Sequence, residues 1–283
     1  MVKGVPLSAK SEDELEFYLK QFKKIKPGKF ALIKISGNTV EHRFSEIVKD
    51  LAFLSKVGLA PIVIHGGGKQ IDIALEKMGI EIRKVNGMRI TDEKTMEVVS
   101  AVLNSITSKL VKSINSKGGK AVNANGLRVV RVRKTGKLEG VDLGLVGDVD
   151  EVDRSRLEEL CGSGRMPVLA SIGYNGGVAY NINADTMASE LVGILKPNKF
   201  ILVTETGGVL DKNGALISTI HIRNDLPGLI KNGVIQGGML LKVNELKELL
   251  QKCPNVTIEI CSAKHLLKEL FTIKGSGTLM INE

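Results

Sequence analysis

Tryptophan is absent from the chain, and its 283 residues hold only seven phenylalanines and three tyrosines. Aromatics so few and so scattered offer no stacking platform for bases, so no nucleic-acid partner is expected despite the basic charge. Proline is also scarce, at seven, which excludes a proline-rich disordered chain. The three cysteines, Cys161, Cys253 and Cys261, are odd in number and lack Cys-x-x-Cys spacing. That argues against a disulfide framework and a zinc cluster, and reads as reduced thiols in or near a core. No stretch approaches the roughly 18 uninterrupted apolar residues that span a bilayer. The opening Met1-Val2-Lys3-Gly4 lacks the apolar segment of a secretory signal. A cytoplasmic chain with no membrane partner is the expectation.

Glycine, by contrast, is abundant, at 31 of 283 residues, about 11% against an average of roughly 7%. The surplus reads as local punctuation. Forty Lys and Arg against 31 Asp and Glu leave a net charge of +9, which favours anionic partners without naming one.

Ser11-Glu12-Asp13-Glu14, ahead of Leu15, Tyr18, Leu19 and Phe22, reads as a capping box opening an amphipathic helix. With the basic run around Pro27-Gly28, most simply a solvated linker, it makes 1–28 an N-terminal helix and linker, and 29–283 the main domain. Phe30 to Ile35 has the apolar character of a buried strand. Helices are expected near 43–57, 69–78, 93–114, 221–231 and 240–251 and after Asn183. Strands are expected at 61–64, near 120, and at 166–170, 200–203, 257–260 and 278–281. Charged, glycine-broken β alternation over 127–150 predicts a hairpin excursion from the main sheet. The alternation as a whole predicts an α/β fold, a mainly parallel central sheet sandwiched by helices in three layers, with ligands beyond the carboxyl ends of its strands.

Four features fall at those ends. Lys34 interrupts an apolar strand and is followed by Ser36-Gly37; its ammonium either emerges at an anionic ligand or snorkels to the sheet edge. Gly66-Gly67-Gly68 joins a strand to a helix, where bare amides and a helix N-terminus suit phosphate, although glycines also make plain turns. It is neither GxGxxG nor a Walker loop. Arg89, in the polar stretch Asn86 to Asp92, offers a planar fork for a carboxylate, and a surface arginine near a helix cap is the alternative. In Asn181-Ile182-Asn183-Ala184-Asp185 the cap explanation suffices for Asn183 and leaves Asn181 and Asp185 for a site. Further on, Thr204 to Asp211 follows a strand, and Gly237-Gly238 opens a helix carrying Lys242. Glycines and lysines at several strand ends, with isolated carboxylates, suit phosphoryl transfer.

Taken in order, Lys34-Ile35-Ser36-Gly37, His65 to Gly68, Asn86 to Asp92, Asn181 to Asp185 and Gly237-Gly238-Met239 with Lys242 resemble the amino acid kinase family, and within it the branch acting on N-acetyl-L-glutamate. The closing Glu269-Leu270-Phe271-Thr272 and Gly275-Ser276-Gly277-Thr278 are similar to the kinase-type domain of bifunctional synthase/kinase members. The resemblance implies ATP-dependent phosphorylation of the substrate's side-chain carboxylate, giving an acyl phosphate in arginine biosynthesis. It implies an N-terminal lobe for the acyl substrate and a C-terminal lobe, from about 195, for ATP. Lys34, Lys242 and Asp185 would be catalytic. Gly67, Gly68, Arg89 and Asn181 would bind substrate, and Gly37, Gly66, Thr206, Gly207, Asp211 and Gly238 would bind phosphate and ATP. Mg²⁺ would be held by ATP phosphates, with no protein metal site. L-arginine as an effector would fall at Glu269, Gly275 and Gly277, and a homo-oligomer is expected. The family's usual first glycine after the lysine is Ser36 here, harmless if its φ is negative. A catalytically weak, arginine-binding regulatory domain of an acetylglutamate synthase system is the alternative.

Overall fold

The computed structural model describes residues 19–22, 24–272 and 275–282; the capping box at 11–14 lies outside them. The strand runs are β1 Ala31–Ile35, β2 Ile62–His65, β3 Lys84–Val85, β4 Met88–Arg89, β5 Ala121–Asn123, β6 Val130–Lys134 and β7 Gly147–Val152. They continue as β8 Met166–Ala170, β9 Ile172–Asn175, β10 Val178–Asn181, β11 Lys199–Val203, β12 Thr219–His221, β13 Thr257–Cys261 and β14 Thr278–Ile281. The α-helices between them are α1 Gly37–His42, α2 Phe44–Lys56, α3 Gly68–Lys77, α4 Glu93–Ser116 and α5 Arg154–Gly162. The last four are α6 Ala184–Leu195, α7 Leu226–Lys231, α8 Gly237–Lys252 and α9 Leu266–Phe271.

Alternation along the central strands builds the three layers. Leu32, Ile62, Ile64, Leu169, Phe200 and Leu202 pack on one face with Met187, Leu191 and Leu195 of α6 and Val243, Leu246 and Leu250 of α8. Ile33, Ile35, Val63, Val168, Ile201 and Val203 pack on the other with α2, the end of α4, and α9. Burying each such side chain contributes about 1.5–3 kcal/mol. The sheet runs β12-β14-β13-β11-β1-β2-β8-β5. All its pairings are parallel except β13 with β14. From β1 the chain runs to β2, then to the edge strand β5, later fills the gap between them with β8, and finally places β11 on β1's other side. The order reverses there, so the ends of β1, β2 and β11 flank the crevice where such folds bind ligands.

The excursion over 127–150 is larger than a hairpin. β6 and β7 pair antiparallel with a bulge at Arg131/Val132, and β9 and β10 join them in a second sheet, β10-β9-β6-β7. The expected helix over 221–231 is shorter. Thr219 to His221 pair with β14 instead, and Pro227 in the first turn sets the helix start at Leu226. Nor is all of the basic run solvated, because Lys29 Nζ donates to the Leu195 carbonyl at the end of α6. Cys161, Cys253 and Cys261 are buried free thiols.

Candidate active site

Lys34 shares its face of β1 with Leu32 and is only 4% exposed, a position an ammonium occupies only when paired. Its partner is delivered by the start of α6. Asn183 caps that helix, its Oδ1 accepting from the amides of Asp185 and Thr186, and so sets Asp185 in the first turn. Asp185 Oδ1 lies 2.5 Å from Lys34 Nζ, and Oδ2 accepts from Lys242 Nζ of α8, also at 2.5 Å. One carboxylate thus bridges two ammonium groups from different elements. Burial pushes the Asp185 carboxyl up, but Lys34 and Lys242 outweigh it and hold the group below its usual range. Burial pulls the Lys34 ammonium down, and Asp185 opposes that in part.

Beside this bridge, Ser36 ends β1 with φ −68° and accepts from the Thr39 amide as the N-cap of α1. Its backbone is unstrained, so replacing glycine there leaves the loop intact. The Ser36 amide donates to the Val203 carbonyl, and the Gly66 amide to the Ile35 carbonyl. The Gly66 amide is therefore spent, contrary to the phosphate-donor role expected of it. What Gly66 supplies is clearance, since a Cβ there would sit 3.3 Å from that of Ala184. At Gly37 a Cβ would stand 2.9 Å from the Gly67 Cα, so α1 and α3 start in direct backbone contact. The first amides of both helices have no partner one turn earlier and carry the positive end of the helix dipole. His65, fully buried, bonds Gly66 O through Nδ1 at 3.1 Å and Thr107 Oγ1 through Nε2 at 2.8 Å. Burial drops its pKa to about 4, so a neutral ring pins the glycine joint.

Asn86 to Asp92 is not a plain loop. Asn86 and Gly87, with φ of 49° and 79°, form the two-residue turn that joins β3 to β4. Arg89 is 7% exposed, which rules out the surface reading. Its Nη1 lies 2.7 Å from Asp72 Oδ1 without hydrogen-bond alignment, and Nη2 reaches Gly68 O at 3.3 Å. A buried fork with donors to spare is built to receive an anion. Asp72 also pairs with Lys84 Nζ at 2.8 Å. Its own burial opposes ionisation, but the two cations hold its carboxyl below the usual range.

A cleft of about 250 Å³ joins these parts, lined by Lys34, Asp185 and the glycine joint together with Lys84, Gly87 and Arg89. Asn181 and Ser171 lie along its wall. Asn181 Nδ2 donates to Thr91 Oγ1 at 3.3 Å. Thr206, Gly207, Asp211 and Gly238 are not among the cleft's lining residues. They follow β11 or open α8, and Asp211 Oδ1 accepts the amides of Asn213 and Ala215 to fix its own turn. Glu269, Gly275 and Gly277 are likewise not among the cleft's lining residues. Glu269 is buried, and its Oε1 accepts the Ser276 amide. Sequence reasoning gave His65 no role beyond opening its glycine motif, and did not find Asp72, Lys84 or Glu245, whose Oε1 accepts from Thr186 Oγ1 at 3.2 Å. Only His65 carried a local signal, a polar residue closing an apolar strand. Among the described residues no group of three or more His, Cys, Asp or Glu is placed to hold a metal ion.

Paired ammonium groups on a shared carboxylate, set among free helix-end amides, neutralise phosphate and supply neither hydride nor nucleophile. That is the site of a phosphate-handling α/β protein. The chain belongs to the amino acid kinase family, whose model matches residues 29–261. It is 37% identical over 272 residues to an acetylglutamate kinase of Xylella fastidiosa, a match covering 95% of this chain and 64% of that one. It is 39% identical over 280 residues to an acetylglutamate kinase of Geotalea daltonii, covering 92% and 93%. The chain therefore spans just under two thirds of the Xylella relative and nearly all of the Geotalea one. An N-acetylglutamate synthase from Neisseria gonorrhoeae, solved with coenzyme A and N-acetyl-glutamate, shares the fold. Its TM-score is 0.82 at 20% identity, covering 96% of this chain and 62% of that one.

Proposed function

We propose that this protein transfers the γ-phosphoryl group of ATP to the side-chain carboxylate of N-acetyl-L-glutamate, a step of arginine biosynthesis. The observation that carries the reading is the Lys34–Asp185–Lys242 bridge, across one cleft from the under-satisfied Arg89 fork. A dicarboxylate spans those ends, with one carboxylate on Arg89 and the other among the lysines. A carboxylate oxygen attacks the γ-phosphorus, a P–O bond forms, the bond to the β-phosphate oxygen breaks, and ADP leaves. The attacking carboxylate is already ionised near neutral pH, so no general base is needed. The barrier is repulsion between anions. Lys34 and Lys242 offset it, Asp185 holds both in register, and the helix-end amides at Gly37, Gly67 and Gly68 donate to the phosphate and substrate oxygens.

Thr206, Gly207, Asp211 and Gly238 hold the nucleotide in this reading, and Asn181 the acyl end of the substrate. Mg²⁺ arrives on ATP oxygens, and it keeps much of its own water shell in such sites. The test is an ATP-dependent hydroxamate assay comparing N-acetyl-L-glutamate, glutamate and aspartate. Hydroxamate from the acetylated substrate is expected, and none from it overturns the reading. L-arginine as an effector at Glu269, Gly275 and Gly277 belongs to the same proposal. Glu269 accepts the Ser276 amide through one oxygen, which leaves acceptor capacity for a guanidinium, and titrating arginine into the assay checks it.

A further inference from the structure

Lys84 and Arg89 are direct cross-strand partners in the β3–β4 ribbon, so both side chains project from one face. Like charges placed opposite each other destabilise a two-stranded ribbon. Here they share a single carboxylate: Arg89 is 2.7 Å and Lys84 is 2.8 Å from the two oxygens of Asp72. One positive charge is left uncompensated there, and both cations line the cleft. The only carboxylate among the lining residues is Asp185, already bridging two lysines. A free ammonium entering beside Arg89 meets two cations and no unpaired anion. The other lining side chains, Asn181 and Ser171 among them, are uncharged.

We infer that Lys84 is a specificity residue. Together with Arg89 it takes the α-carboxylate of the substrate and rejects a neighbouring α-ammonium, so that the site selects acidic amino acids whose α-nitrogen is acylated and uncharged. Acylation removes the one charge this end cannot accommodate, and Lys84 is the partly exposed, movable half of the pair. This rests on the functional reading above.

Steady-state kinetics of the full chain separate the two. Wild-type protein that makes no acyl phosphate from N-acetyl-L-glutamate overturns the functional reading, and this inference with it. With active wild type, Lys84→Met is expected to raise KM for N-acetyl-L-glutamate about tenfold, the scale of one charge-assisted hydrogen bond. Its kcat and KM for MgATP stay within about twofold, its preference for N-acetyl-L-glutamate over glutamate narrows, and Lys84→Arg recovers most of the loss. Lys117→Met, at the exposed end of α4 and outside the cleft, is the control. An unchanged KM and unchanged preference in Lys84→Met overturns the inference, as does a loss confined to kcat or to MgATP.

Discussion

Lys34 is a buried cation whose partner lies 151 positions away in sequence, at Asp185. Losing one preorganised donor typically costs about 2.7–4 kcal/mol of transition-state stabilisation. Lys34→Ala and Lys242→Ala are therefore each expected to lower kcat by about 10²–10³ while circular dichroism stays native. Asp185→Ala is different, because it leaves Lys34 buried without its counter-charge. Breaking such a pair costs about 3–5 kcal/mol, so urea unfolding should show a large loss of stability together with the loss of turnover. The pH dependence follows from the depressed Asp185 carboxyl. Its stabilising contribution is complete above the unfolded carboxylate pKa of about 3.9 and disappears as pH falls through the lower folded value. Asp185→Asn should flatten the acid limb of the stability curve below about pH 4. Lysine inside an apolar strand was visible in the sequence as a costly placement. Which carboxylate answers it was not, because an ion pair between distant positions leaves no local pattern.

Individual elements make their own demands. The start of α6 places Asp185 only while Asn183 caps it. Asn183→Ala is expected to cost about 1 kcal/mol by thermal unfolding, and to lower kcat by more than KM rises, since Asp185 and through it both lysines lose their register. In β13, Glu259 is 3% exposed next to Lys199, and burial, helped by the adjacent Glu269, pushes its carboxyl up to about 8. A raised carboxyl favours the folded state when protonated. That stabilisation is full below the unfolded pKa of about 4.3 and is lost as pH rises through about 8. Melting temperature should fall from pH 5 to pH 9, and Glu259→Gln should reduce that slope. The central strands and long helices were legible because a strand buried on both faces reads as an apolar run and a surface helix repeats near 3.6 residues. The ribbon β3–β4 and the strands β9, β10 and β12 were not. They are two to four residues long, too short for a period to develop, and several positions are exposed.

Across the whole molecule, the cleft lies where β1, β2 and the second sheet meet, so a ligand bound there would tie together parts distant in sequence. A ligand that binds only the folded state stabilises it by about 2.7 kcal/mol at a hundredfold excess over Kd. N-acetyl-L-glutamate and MgATP should each raise the melting temperature, and Arg89→Met should abolish the first shift while leaving the second. The net charge of +9 bears on this scale only weakly, because Lys34, Lys84 and Arg89 are the basic residues that line the cleft among the described ones. On the second sheet, for example, Arg131 pairs with Asp150 and Glu151, and Lys134 pairs with Asp142 of the loop that follows β6.

Sequence alone determined the layered, mainly parallel fold and the ordered charged positions Lys34, Arg89, Asp185 and Lys242 near strand and helix ends. These follow from apolar periodicity and from glycines and charges at fixed points along the chain, all of them local. Tertiary structure decided which charge meets which. Asp185 joins two lysines, Asp72 is divided between Lys84 and Arg89, the Gly66 amide is already spent, and a neutral His65 holds the joint. Those outcomes depend on strand register and helix packing, and electrostatics acts through distance in space, which the order of residues does not specify.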